Sequence, residues 1–362
     1  MNKLLKIATL FLLIANCSLD NKTGIWEDTS KTVNIKKNNK VFLKEKNIAI
    51  REFNKDIQIT LEKDPNLKDN SSNVNNEIKK LGKITKYKFS KINRFNEFDP
   101  ELIFYNNELI FFDNNGTLFK LDKNLNLIWK KNNYSKTEKK INPILYVSNF
   151  TEKIIVADTI SKLYALDSID GKILWSIYNE TSFKTQPKIY KDKVFILDSQ
   201  NKLNCYSTLN GKLIWDIRTA NSFINSDTKI TILINNDILF FNNSLGDVMA
   251  VDINTGVLKW QISTQNSTLF DDIIKFKNSA LVATNNSIIF SNNKNVFYSL
   301  DQETGKINWK QEINSVVTPF VIRNLIVTVS NDGYLFYINH ETGDIIKIIN
   351  IYNLFQQNDY FH

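Results

Sequence analysis

The chain has 362 residues, a formal net charge of +8 and 12% aromatic residues. This length is ample for a large buried core. Its basic residues are interspersed with acidic ones, without the clustered Lys and Arg that nucleic-acid binding requires. With two cysteines (Cys17, Cys205) and two histidines (His340, His362), a His-based metal centre or catalytic triad would lack partners. The abundance of aromatic, Ile, Leu and Val residues is typical of an all-β protein.

The first residues have the pattern of a secretory signal. Lys3 and Lys6 form a basic start, and residues 4–15 form an apolar stretch. A membrane span takes about 20 residues, so this stretch is too short to be one. We therefore expect residues 1–16 to be a signal peptide that ends before Cys17. Removal of Lys3 and Lys6 would leave a net charge of +6.

The next part, residues 17–82, is predicted to be a tether and low-complexity linker. Its start is polar, and weak alternation in residues 41–62 is compatible with an isolated strand. Residues 63–80 have the composition of a disordered linker. Residues 83–92 regain strand character, at the place where a propeller has its closing strand.

From residue 83 to residue 350 the chain is dominated by an internal repeat. Its clearest copy is KLYALDSIDGKILW at 162–175: an alternating strand, a turn and a second strand that ends on tryptophan. Five tryptophans end a copy, 40 to 49 residues apart, and in the last copy Lys347 stands in that position. This period predicts four short strands per unit, as in a β-propeller. We predict an all-β propeller at 83–350, with a tail at 351–362 and six blades at about 100–131, 143–177, 187–217, 229–262, 279–311 and 319–350.

The repeat also indicates how a blade is stabilised. Period-two alternation predicts that each strand buries one face. A glycine suits the tight turn four residues before the tryptophan position in five copies, at Gly171, Gly211, Gly256, Gly305 and Gly343. A tryptophan buries roughly 150–250 Å². One four-stranded sheet cannot cover that area, so we expect each indole to dock on the neighbouring blade. The five structural tryptophans are Trp129, Trp175, Trp215, Trp260 and Trp309.

The motif LDQETGKINW at 300–309 and its copies resemble the quinoprotein-type (PQQ-like) propeller repeat. The end of the signal segment, IANC at 14–17, resembles a bacterial lipobox with Asn16 before the cysteine. Together these features resemble BamB-type outer-membrane-protein assembly lipoproteins. The family ring has eight blades and six are recognisable here. The resemblance therefore implies a ring incomplete at its C-terminus, or a smaller closed ring.

The resemblance also implies a function. Cys17 would be lipidated, Ser18 after it favours the outer membrane, and the propeller would face the periplasm. The protein would be a non-enzymatic scaffold without a cofactor or metal. Its partners would be the outer-membrane β-barrel assembly complex, unfolded outer-membrane proteins and the membrane through its lipid, with no nucleic acid. Cleavage without lipidation is the alternative for Cys17.

Two other functions are compatible with the same fold. One is a propeller that binds envelope proteins or glycans unrelated to barrel assembly. The other is a quinoprotein dehydrogenase, with a quinone and Ca²⁺ on the axis, for which Asp271 and Asp272 are the conspicuous carboxylate pair. For partner binding we predict the loops 178–186 and 219–226, with Phe183 and Phe223 exposed. The alternative is that both rings lie beneath the blade rim.

Overall fold

The computed structural model describes residues 17–19, 26–28, 51–54, 56–59, 102–220, 230–264 and 276–352. The chain divides into two units, residues 1–50 and 51–362. In the first unit, β1 (Cys17–Leu19) pairs antiparallel with β2 (Trp26–Asp28), and Cys17 lies opposite Asp28. The predicted closing strand at 83–92 lies outside the described residues.

The described part of the second unit contains six four-stranded antiparallel blades, whose strands are hydrogen-bonded in chain order. Blade 1 consists of β3 (Ile103–Tyr105), β4 (Glu108–Phe112), β5 (Thr117–Leu121) and β6 (Leu127–Asn132), and blade 2 of β7 (Leu145–Phe150), β8 (Lys153–Asp158), β9 (Lys162–Asp167) and β10 (Ile173–Tyr178). Blade 3 consists of β11 (Lys188–Tyr190), β12 (Lys193–Leu197), β13 (Lys202–Ser207) and β14 (Leu213–Arg218), and blade 4 of β15 (Ile232–Asn235), β16 (Ile238–Asn242), β17 (Asp247–Asp252) and β18 (Leu258–Ser263). Blade 5 consists of β19 (Val282–Ala283), β20 (Ser287–Asn292), β21 (Val296–Asp301) and β22 (Ile307–Gln311), and blade 6 of β23 (Phe320–Ile322), β24 (Leu325–Val329), β25 (Tyr334–Asn339) and β26 (Ile345–Asn350). The predicted all-β propeller of four-stranded blades is confirmed.

The first strands of blades 1 to 5 contact one another in sequence, so the first strand of a blade is its innermost. Between blades 1 and 2 the connection forms one helical turn, α1 (Lys136–Lys139), where Ser135 and Glu138 form a capping box.

The core lies between the blades. Alternate residues of β8 face opposite neighbours: Ile154 and Val156 join a cluster with blade 1, whereas Ile155 and Ala157 join one with blade 3. The expectation that each strand buries one face was therefore wrong for the middle strands, because a sheet between two others is covered on both sides. The outer strand β10 alternates as predicted, with Trp175 as its buried residue.

Blade 6 carries an additional segment on its outer edge. Phe53 pairs antiparallel with Ile348, and the backbone N–H of each donates to the carbonyl of the other, at 3.2 and 3.0 Å. The Nδ2 of Asn54 donates to the Ile346 carbonyl at 3.2 Å, and the Nζ of Lys347 donates to the Ile57 carbonyl at 2.6 Å. We call residues 51–54 and 56–59 the strap.

Candidate functional site

The five repeat tryptophans occupy the seams between blades. Each ring packs on the turn glycine of the next blade: Trp129 on Gly171, Trp175 on Gly211, Trp215 on Gly256, Trp260 on Gly305 and Trp309 on Gly343. Four of the indoles also donate from Nε1 to a carbonyl of that turn. The acceptors are Ser168 at 3.1 Å, Thr208 at 3.0 Å, Gln302 at 2.9 Å and His340 at 2.9 Å. The rings therefore hold successive blades together.

Two seams depart from this pattern. The Nε1 of Trp215 is buried without a hydrogen-bond partner among the described residues. In blade 6 the position belongs to Lys347, which bonds to the strap instead of to a further blade. The residue that breaks the sequence repeat therefore lies where the packing partner also changes.

A cavity of about 860 Å³ lies against the inner strands of blades 3 to 6. Lys188, Ile232, Val282 and Phe320 line it from β11, β15, β19 and β23, and the remaining lining is rich in Asn, Thr and Ser. Such side chains both donate and accept hydrogen bonds, so the cavity can hold a polar group.

Two features bear on a bound quinone and Ca²⁺. Of the described residues that line the cavity, Glu341 is the one carboxylate, and Phe320 and His340 are the only aromatic rings. The cavity thus offers neither a carboxylate pair nor a tryptophan for stacking. Asp271 and Asp272 lie outside the described residues.

Two titratable groups of the cavity have pKa values lowered by burial. Burial lowers the pKa of Lys188 from 10.5 to about 8. It also lowers the pKa of His340, against the opposing effect of Glu341, and the Nε2 of His340 is buried without a hydrogen-bond partner among the described residues. Both groups are held in conditions that disfavour their charged forms.

Lys188→Met is expected to raise the unfolding free energy at pH 7 by about 1–2 kcal/mol, because it removes a partly buried charge. The folded-state pKa of Lys188 is about 8 and the ordinary value 10.5, so between these pH values the unfolded chain binds more protons. Wild-type stability therefore rises through this window, and the advantage of the variant shrinks. Denaturant unfolding at pH 7, 9 and 10.5 measures this. Lys188→Arg, which stays charged over this pH range, is the control. Its unfolding free energy should not approach that of Lys188→Met as the pH rises.

The structure places the predicted partner-binding residues differently from expectation. The exposed position predicted for Phe183 was wrong, since the ring is 1% exposed and packs with Trp175, Ile155 and Val194 in the seam of blades 2 and 3. Its N–H donates to the Asp158 carbonyl at 3.2 Å, which draws the loop onto the blade. The alternative of a ring beneath the rim holds for Phe183, which is unavailable to a partner. Phe223 lies outside the described residues.

The described part of the chain also contains a free cysteine and potential metal ligands. Cys205 is buried in the core, and burial raises the pKa of its thiol to about 12. Across the described ranges, no group of three or more His, Cys, Asp and Glu residues is placed to hold a metal ion. No helix in those ranges is long and apolar enough to cross a membrane.

The sequence interpretation missed the cavity and the pairing of the strap with blade 6. The weak alternation of residues 41–62, which includes Ile57 and Ile59, was a signal for an extended strap. Nothing local identified its partner, which lies 295 residues away at Ile348.

Comparison with known proteins identifies a family and three individual similar proteins. A family model for the outer membrane protein assembly factor BamB matches residues 105–349. A curated BamB from Legionella pneumophila (strain Paris) is 26% identical over 117 residues, which is 32% of this chain and 28% of that protein. The crystal structure of BamB from Moraxella catarrhalis aligns with a TM-score of 0.57 at 15% identity, covering 69% of this chain and 75% of that one.

A computationally designed protein, Ika8, aligns with a TM-score of 0.54 at 13% identity, covering 69% of this chain and 73% of that one. At these identities the solved structures show the fold alone, and the chain spans less than a third of the curated relative. The family model covers all six described blades, and its match extends over more than half of the sequence. The chain belongs to the family of the outer membrane protein assembly factor BamB.

Proposed function

We propose that this protein is a non-enzymatic lipoprotein scaffold that assists the assembly of β-barrel proteins into the outer membrane from the periplasmic side. The observation that carries the proposal is the family match across residues 105–349, because it covers every described blade. The use of the conspicuous aromatic residues in seams supports it further, since these side chains serve packing and not chemistry.

The protein would act by binding partner proteins on its surface. Propeller blades form a rigid array, and their loops and edges can hold partners in fixed positions. The proposed partners are the β-barrel assembly complex and unfinished outer-membrane proteins. A lipid on Cys17 would keep the propeller close to the membrane without embedding it, because acyl chains supply the attachment.

The direct test is gentle extraction of the tagged full-length protein from native membranes, followed by mass spectrometry. We expect components of the β-barrel assembly machinery to co-purify. A tagged, lipidated protein of unrelated fold is the control for non-specific recovery. Recovery of the protein with no such component, under conditions that keep the assembly complex intact, would contradict the proposal.

Cys17→Ala is expected to abolish incorporation of labelled palmitate and to move the protein from the membrane fraction to the soluble periplasmic fraction. The physical reason is that a membrane attachment made by acyl chains is lost with the cysteine that carries them. The neighbouring Ser18→Ala variant is the matched control and should keep both the label and the membrane location. Persistent palmitate labelling of Cys17→Ala would refute lipidation at this residue.

A further inference from the structure

The outer strands of blades 1 to 3 expose a repeated apolar pair just before the tryptophan. Each of these side chains is 43–48% exposed. The pairs are Leu127 and Ile128 in blade 1, Ile173 and Leu174 in blade 2, and Leu213 and Ile214 in blade 3. In the turns before two of these strands, Ile169 and Leu209 are more exposed still, at 73% and 71%. An apolar rim that recurs over neighbouring blades is the kind of surface that marks an interaction site.

The other blades show that the fold does not need this pair. Lys259 and Asn308 occupy the second position of the pair in blades 4 and 5. In blade 6 the pair is Ile345 and Ile346, and both are only partly exposed. Blade 6 is also the blade that carries the strap.

The backbone of the outer strand explains how the strap attaches. The N–H of Ile351 donates to the Gly333 carbonyl. Backbone hydrogen-bonding groups alternate along an antiparallel strand, so those of Lys347 and Ile349 also face β25. The backbone groups of Ile348 and Asn350 face the open side of the sheet. Ile348 accordingly exchanges both backbone hydrogen bonds with Phe53, and the N–H of Asn350 donates to Oε1 of Glu52 at 3.2 Å.

The same geometry recurs in blade 2. The N–H of Asn179 donates to the Ser161 carbonyl at 2.7 Å. By the same alternation, the backbone hydrogen-bonding groups of Trp175 and Ile177 face β9, and those of Ser176 face the open edge. Ser176 follows Trp175 as Ile348 follows Lys347. Lys130 and Asp216 hold this position in blades 1 and 3. In the described part of the chain no strand pairs with the outer edges of β6, β10 and β14.

We propose that the outer edges of blades 1 to 3 are docking sites for an extended β-strand of a partner protein, bound as the strap is bound to blade 6. The exposed apolar pairs beside these edges favour an occupant with apolar side chains, which a β-strand carries on one face as every second residue. Strands of membrane β-barrels have this alternation, and an unfinished barrel presents them unpaired. The identity of this partner rests on the proposed function, whereas the binding edge rests on the geometry alone.

The test uses the purified full-length protein and a labelled ten-residue peptide of alternating Val and Thr, measured by fluorescence anisotropy. Ser176→Pro, Lys130→Pro and Asp216→Pro in one protein remove three outward N–H donors without removing a backbone hydrogen bond within a blade. The ion pair of Asp216 with Lys202 is lost in this protein and in its alanine control alike. We expect binding to weaken roughly 10-fold or more, since main-chain bonds carry the affinity in strand addition. The matched Ser176→Ala, Lys130→Ala and Asp216→Ala protein keeps the donors and should bind as the wild type does.

A second variant removes the apolar rim with residues that the chain already uses at this position. Ile128→Lys, Leu174→Lys and Ile214→Lys copy Lys259 of blade 4, so the fold is expected to persist, as thermal unfolding will show. Binding should again fall roughly 10-fold. The same peptide with a central proline should not bind the wild type, because it cannot complete the ladder.

The outcomes separate the edge from the proposed function. No binding of the peptide to wild type, or equal binding by wild type and the folded proline variant, overturns edge docking. Co-purification with the β-barrel assembly machinery is measured independently in membranes, so the proposed function survives that result. If the edge binds the peptide while no assembly component co-purifies, the docking site stands and the proposed function fails.

Discussion

Trp175→Ala should lower the unfolding free energy by about 3–5 kcal/mol, the range for removing a buried aromatic side chain. The ring is 9% exposed and packs in the seam of blades 2 and 3 with Phe183 and Tyr206. Alanine would leave a cavity that neighbouring blades cannot close, because each is fixed by its own hairpins. Guanidinium unfolding followed by circular dichroism measures the loss. A change below about 1 kcal/mol would contradict the role of the ring as the link between blades.

The chain offers a matched control for the hydrogen-bonding part of this effect. Trp175 donates to the Thr208 carbonyl at 3.0 Å, whereas the Nε1 of Trp215 has no hydrogen-bond partner among the described residues. Phenylalanine fills part of either site but cannot donate. Trp175→Phe should therefore destabilise the protein by about 1 kcal/mol more than Trp215→Phe. Equal losses would show that the indole N–H contributes nothing in this seam.

Gly211→Ala should lower the unfolding free energy by about 2–4 kcal/mol, from two causes. Gly211 has φ of +71°, a conformation that is unfavourable for alanine. A Cβ there would also lie 2.6 Å from Cε3 of Trp175, closer than carbon atoms can approach. The blade must shift or the indole must leave its site.

A double-mutant cycle separates these causes. In the Trp175→Ala protein the ring is gone, so Gly211→Ala should cost only the backbone term of about 1–2 kcal/mol. The difference between the two backgrounds is the coupling between glycine and tryptophan across the seam. If Gly211→Ala costs the same in both, the contact between them has no energetic weight.

Much of the fold follows from local pattern. The predicted blade limits agree with the strands: the first blade was placed at 100–131 and its strands run from Ile103 to Asn132. The turn glycines were equally predictable, because a positive φ favours a residue without a Cβ, and Gly171, Gly211, Gly256, Gly305 and Gly343 all have a positive φ. Such features depend on neighbours within a few residues, so a single chain segment contains the information.

Phe183 shows that the local sequence pattern does not predict the burial of a loop residue. A phenylalanine in a polar loop looks exposed, yet hydrogen bonds from Phe183 to Asp158 and from Lys184 to Leu197 pull the loop against two blades and bury the ring. The burial of both faces of β8 has the same origin, since it requires the blades on either side.

The strap is the clearest case. Its alternation marks an extended segment, but the choice of blade 6 depends on an edge 295 residues later in the chain. Short stretches of sequence thus determine the hairpins, the turns and the positions of the repeated indoles, because their hydrogen bonds and steric limits act locally. The covering of each face and edge is settled only by packing between distant parts of the chain, because burial is a property of the surfaces that meet and not of either one alone.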